Sequence, residues 1–110
     1  MIAAPPEPLV CLDPGHGTPA AIGRQVEPIG PGSRVLKIKD GGGAHGEAAV
    51  ALAIARRART VLLSRGYRVA MTRTGPTIHL PNGDGNIARA RFCNQRQAVL
   101  MIRIHADGSS

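Results

Sequence analysis

Three short apolar runs alternate with two stretches of helical periodicity, and that alternation constrains the fold more tightly than any other property of the chain. Residues 9–13 (LVCLD) end at Pro14-Gly15, which reads as a buried strand closed by a tight turn. Between residues 47 and 64, Val50, Ala51, Ile54, Ala55, Ala58, Val61 and Leu62 recur at about 3.6-residue spacing and predict the apolar face of a helix. Arg56, Arg57, Arg59 and Thr60 fall mostly on the opposite face, while Leu52 and Leu63 depart from the pattern. Gly66 is placed to stop this helix, with Arg65 near its last carbonyls. In YRVAMTR at 67–73, Tyr67, Val69 and Met71 alternate as in a strand. A loop dense in turn residues, TGPTIHLPNGDGN, covers 74–86. Asn86 is placed to cap a second helix over about 87–97, and VLMIRI at 99–104 reads as another buried strand. The order strand, helix, strand, helix, strand predicts an α/β fold with a mostly parallel sheet and right-handed crossovers.

A chain of 110 residues with 43% hydrophobic content is expected to form a single domain around one modest core. With one Tyr, one Phe and no Trp, that core is built from Ala, Val, Leu and Ile. The same scarcity argues against a stacking platform for single-stranded nucleic acid, which needs aromatic faces. From about residue 18 to 46 the chain is rich in Gly and Pro, and a loop of that length is functional or disordered in most compact domains. VLKIK at 35–39 fits a small extra strand inside it. The formal charge of +7, with twelve Arg among fourteen basic residues, suits a polyanion, either nucleic acid or an anionic wall polymer. Its ordinary explanation is a set of solvated helix faces, and no recognition helix supports the nucleic-acid reading. Cys11 and Cys93 form neither a disulfide framework nor a CxxC metal motif, so buried free thiols are the default, with a disulfide as the alternative state. No apolar run approaches the roughly 18 residues that span a bilayer. The start MIAAPPEP lacks a basic region followed by a hydrophobic stretch, so neither a membrane anchor nor a secretion signal is expected in the chain as given.

In a parallel sheet the residues just after each strand collect along one edge, where open α/β folds place their sites. His16 follows the first strand in DPGHG, and His105 follows the last in IHAD. Glu47 opens the first helix, which begins at that same edge if the long loop folds back. Two imidazoles and a carboxylate, with a fourth position left for water, are the ligand set of a catalytic zinc site. Each has a plainer explanation. A lone His is more often a surface or satisfied residue, Glu47 in a first helical turn suits the helix dipole, and Asp13 before Pro-Gly is an ordinary turn residue. Their joint placement at one edge is what singles them out. His45, two residues before Glu47 in the Gly-rich loop, and His79, in the turn-rich loop, rank below these three.

Three blocks in order resemble the zinc-dependent N-acetylmuramoyl-L-alanine amidase type 3 family: LVCLDPGHG, then GEAAVALAIARRARTVLLSRGYRVAMTRT, then RARFCNQRQAVLMIRIHAD. The likeness covers most of residues 9–108 and is weakest in the Gly/Pro segment at 18–43, which reads as an insertion. It implies that His16, Glu47 and His105 bind one Zn²⁺. The implied substrate is peptidoglycan, cut at the amide between N-acetylmuramic acid and L-alanine of the stem peptide outside the cytoplasmic membrane. It gives Arg73 and Arg89 structural roles. Two departures follow. The family usually carries Ser where this chain has Arg103, which lies on the strand face opposite Ile102 and Ile104. The family's domain also continues past the HAD block to a glutamate that acts as general base. No acidic residue follows Asp107 here, so that glutamate is expected beyond Ser110 and no catalytic base within the chain. The chain is therefore expected to be the N-terminal part of an amidase domain, truncated relative to the whole, with metal ligands in place and an exposed edge along VLMIRI. Two outcomes compete: an impaired hydrolase, or a non-catalytic remnant that binds zinc and the cell wall.

Overall fold

The structure, a computed structural model, describes residues 7–17, 26–28, 31–38, 46–81 and 83–106. The elements run β1 (Leu9–Pro14), β2 (Val26–Pro28), β3 (Leu36–Ile38), α1 (Glu47–Ser64), β4 (Arg68–Met71), α2 (Asn86–Gln95) and β5 (Leu100–Ile104). β1, the most apolar run, takes the centre of a three-stranded sheet of order β4-β1-β5. It pairs parallel to both neighbours, Leu9 to Leu12 against Arg68 to Met71 and Val10 to Pro14 against Leu100 to Ile104. A strand flanked on both edges and covered on both faces must be apolar along its whole length, and all six residues of β1 are buried. β2 and β3 form a separate antiparallel pair, so the extra strand expected within VLKIK is present. The rest of the Gly/Pro-rich segment lies largely outside the described residues.

The first crossover runs from the central β1 to β4 and the second runs the opposite way, from β4 past β1 to β5, so right-handed connections put α1 and α2 on opposite faces of the sheet. The side chains agree. Cys11 and Asp13 point to the α2 face, where Cys11 is joined to Cys93 and Asp13 meets Arg89. Val10 and Leu12 therefore point to the α1 face, against Ala51, Leu52 and Ala55, the apolar residues that α1 buries.

Several expectations are corrected. Val50, Ile54 and Val61, assigned to the buried face of the helix, are 48%, 46% and 51% exposed, whereas Leu52, which departed from the pattern, is buried. With only β1, β4 and β5 described beneath it, α1 has a narrow contact stripe, and its remaining apolar residues lie beside that stripe. Cys11 and Cys93 are a disulfide, not free thiols, because strand and helix bring Cα atoms 82 residues apart to within 5.7 Å. Asn86 is the first residue of α2, not its cap; Gly85 precedes it in extended conformation with no side-chain capping bond. Gly66 does terminate α1, with φ +89°, and the amides of Gly66 and Tyr67 return to the carbonyls of Leu63 and Leu62. VLMIRI, expected as a buried strand, is not one: Leu100 and Ile102 of β5 are 53% and 38% exposed, because β5 stands at the edge of the described sheet, which agrees with the expected exposed edge. Among the described residues no helix is long and apolar enough to cross a membrane.

Candidate metal centre

The parallel register brings the ends of β1 and β5 level, so the residues following them become neighbours. Gly15 continues the ladder by donating its amide to Ile104 O at 2.8 Å, which sets His105 beside the turn that carries His16. Glu47, at the N-terminus of α1, completes the group. His16 Nε2 lies 2.7 Å from Glu47 Oε1, and His105 Nδ1 lies 3.7 Å from the same oxygen. The two imidazoles meet edge to face with centroids 5.0 Å apart. His16 and Glu47 are buried, while the His105 side chain is 42% exposed and faces the solvent side of the site.

One ligand atom from each of these residues lies within 4.8 Å of the other two. Tetrahedral zinc with bonds near 2.0–2.1 Å separates its ligand atoms by about 3.3 Å. The Glu47–His105 spacing suits that geometry, and the Glu47–His16 pair need open by only roughly half an ångström to do so. The donor chemistry fits as well, since two nitrogens and one carboxylate leave a side of the group open. Of the other candidates, His79 is exposed and stands outside the group, and His45 lies outside the described residues. The described residues end at Ala106, so Asp107 and Ser110, past which the general-base glutamate is expected, lie outside them too.

Two glycines explain the spelling of DPGHG. A Cβ on Gly15 would stand 2.6–2.9 Å from three atoms of the His105 ring, so that ring rests directly on the backbone. A Cβ on Gly17, at φ +90°, would stand 2.6 Å from Cδ of Arg73. Between them His16 itself has φ +63°, a left-handed conformation uncommon for a residue with a side chain.

The N-acetylmuramoyl-L-alanine amidase family matches residues 10–110, nearly the whole chain. The chain belongs to this family. It is 35% identical over 102 residues to the N-acetylmuramoyl-L-alanine amidase AmiA of Escherichia coli (strain K12), covering 91% of this chain and 27% of that protein. Among solved structures it is similar to the amidase Ami1 of Mycobacterium abscessus, in its apo form, with a TM-score of 0.74 and 28% identity over 96% of this chain and 50% of the other. Ami1 of Mycobacterium smegmatis gives 0.75 and 29%, over 96% of this chain and 49% of the other. AmiC2 of Nostoc punctiforme gives 0.56 and 25%, over 90% and 43%. The chain thus spans about a quarter of the length of the curated amidase and about half of each mycobacterial one.

In this member of the amidase family the residues around the trio are held by buried guanidinium groups that hydrophobic patterning does not reveal. Asp13, fully buried, is no ordinary turn residue. Its Oδ1 accepts from Thr72 Oγ1 at 2.6 Å and Arg89 Nη1 at 2.8 Å, and its Oδ2 accepts from Arg103 Nε at 2.8 Å. Arg103 is on the face opposite Ile102 and Ile104, as the strand alternation requires, because it pairs in register with Asp13. Arg89 also donates to Pro14 O at 2.9 Å and to His16 O at 2.6 Å. Arg73 donates from Nε to Pro14 O, from Nη1 to Gly75 O, and from Nη2 to both Gly15 O and Ala48 O. Every carbonyl from Pro14 to His16 is therefore held by a guanidinium. Burial lowers the pKa of Arg73, helped by the charges of Arg89 and Arg56 and opposed by Asp13. The carbonyl oxygens turned towards it offset part of that desolvation.

Proposed function

We propose that this chain is the metal-binding part of a zinc-dependent peptidoglycan hydrolase that cleaves the amide between N-acetylmuramic acid and L-alanine, and that it works outside the cytoplasmic membrane. The observation that carries this reading is the convergence of His16, Glu47 and His105, from three separate elements, at the sheet edge of an amidase-family fold. His16 and Glu47 would hold the ion from the buried side and His105 from the exposed side, leaving an open quarter for substrate. Bound there, Zn²⁺ supplies Lewis-acid polarisation of the scissile carbonyl and acidifies a water. The protein's share is to fix the three donors. Arg89 holds the main-chain carbonyl of His16, while Gly15 beneath His105 gives that ring a flat seat. Taking a proton from the water and passing it to the leaving amine needs a group that acts first as general base and then as general acid, a role we assign to a glutamate of the amidase domain beyond Ser110. The domain assignment follows: residues 1–110 form one partial amidase domain.

The test is release of stem peptide from purified peptidoglycan with added Zn²⁺, with a chelator, and with His16→Ala and His105→Ala. Activity that depends on zinc and is lost in both variants is the expected result; activity indifferent to chelator and to both substitutions rejects the site. A chain extended past Ser110 through the rest of the domain is expected to cut about 10²–10⁴-fold faster than the 110-residue form. Equal rates would mean that the base lies within residues 1–110. A competing reading, favoured by the +7 charge, is a remnant that binds zinc and anionic wall polymer without cutting. It predicts metal binding and wall retention with no peptide release from either form.

A further inference from the structure

Arg89 and Arg73 both hold the turn that carries His16, but only Arg73 also reaches a second ligand-bearing element. A single nitrogen, its Nη2, donates to Gly15 O at 2.7 Å and to Ala48 O at 2.8 Å. Gly15 immediately precedes His16, and Ala48 immediately follows Glu47. One atom therefore spans the two backbones whose side chains meet at 2.7 Å, although 31 residues separate them in sequence. The other donors fix the guanidinium itself: Nε to Pro14 O at 3.2 Å and Nη1 to Gly75 O at 2.8 Å leave it no freedom to rotate away. Gly17 makes the passage, since any side chain there would collide with Arg73 Cδ.

Resting on the reading of the trio as a metal site, we propose that Arg73 is a positioning residue that fixes the separation of His16 and Glu47 before a metal ion binds. Charge alone cannot be its purpose. A buried guanidinium beside a dication opposes binding, so its removal would tighten the metal if electrostatics were its only effect. Positioning predicts the opposite sign. Lysine preserves the charge but not the planar fork, and a single ammonium does not reproduce four directed bonds to four carbonyls on three segments.

The experiment is a Co²⁺ titration of metal-free wild type, Arg73→Lys and Arg73→Met, following the visible absorption of the bound ion, with folding checked by circular dichroism. Both variants are expected to bind Co²⁺ about 10–100-fold more weakly, with an altered spectrum, as when an outer-shell partner of a metal ligand is lost. Binding within about two-fold of wild type in either folded variant overturns the proposal, and so does tighter binding by Arg73→Met. A merely structural role lowers the melting temperature without moving the dissociation constant of the folded protein. Should neither variant fold, the wild type decides by hydrogen exchange of Gly15 and Ile78, whose amides bond to Ile104 O and Gly17 O. Protection already complete without metal is expected, and protection that arises only on adding Co²⁺ overturns pre-positioning. His16→Ala and His105→Ala separate the two levels: if they bind Co²⁺ as wild type does, it is the metal-site reading that fails.

Discussion

At Gly15 a single methyl group would press directly on one of the proposed ligands, His105. A Cβ there meets the end of the His105 ring and not the backbone, and His105 is partly exposed, so the ring is free to swing outward. Gly15→Ala is therefore expected to fold with little loss of stability yet to bind Zn²⁺ at least about tenfold more weakly, measured by calorimetric titration alongside thermal melting. A variant that keeps wild-type affinity would show that His105 is not held by contact with the turn. The three proposed ligands were legible in the sequence because strand ends in a parallel sheet share one edge, and His16 and His105 stand just past two such ends. Thr72, Arg73 and Arg89 were not legible as the buried polar floor of the site. Nothing in a hydropathy pattern distinguishes an arginine whose donors meet main-chain carbonyls from one on a solvated face, and Asp13 before Pro-Gly looks like any turn residue. The family resemblance marked Arg73 and Arg89 as structural without saying what they hold, and the spelling Gly-His-Gly carries a further trace, since each glycine marks a close approach by a distant side chain.

At the scale of elements, the alternation of periods placed β1, α1, β4 and β5 nearly where they occur, because each carries a pattern or a terminator of its own. What it could not give was the share of each apolar face that finds a partner. Val50, Ile54 and Val61 satisfy the helical repeat as well as Ala51 and Ala55 do, but the described sheet under α1 is only three strands wide. The covalent tie between β1 and α2 was open for a related reason, since pairing two cysteines requires knowing which face of the central strand the second helix covers. That tie closes a span of 82 residues, and crosslinks over long spans restrict the unfolded chain most. Reduction, or Cys11→Ala with Cys93→Ala, is expected to lower stability by about 2–4 kcal/mol in urea unfolding. It should also weaken metal binding, because α2 carries Arg89 and hence the bond to His16 O. Unchanged unfolding midpoints under reducing and oxidising conditions would show the crosslink to be dispensable.

For the whole molecule, a charge of +7 with twelve arginines predicts attraction to the anionic polymers that surround peptidoglycan. Since salt screens exposed charges over about 10 Å at 0.1 M, retention on purified walls should weaken on the order of tenfold as salt is raised. It should survive His16→Ala with His105→Ala, which leaves the arginines in place. Retention that is insensitive to salt but lost in that double variant would trace wall binding to the metal site. The central position of β1 has another consequence, for the order in which the molecule assembles. No two of the strands β1, β4 and β5 are joined by a hairpin: Asp13 at the end of β1 meets Thr72 59 residues away and Arg103 90 residues away. Such non-local pairings close slowly, since the chain loses loop entropy before any contact rewards it. Of these three strands β5 is the last to leave a ribosome, and it delivers His105. Until β5 docks, the chain has only two of the three proposed donors in place, so on the proposed reading metal loading would report completion of this sheet.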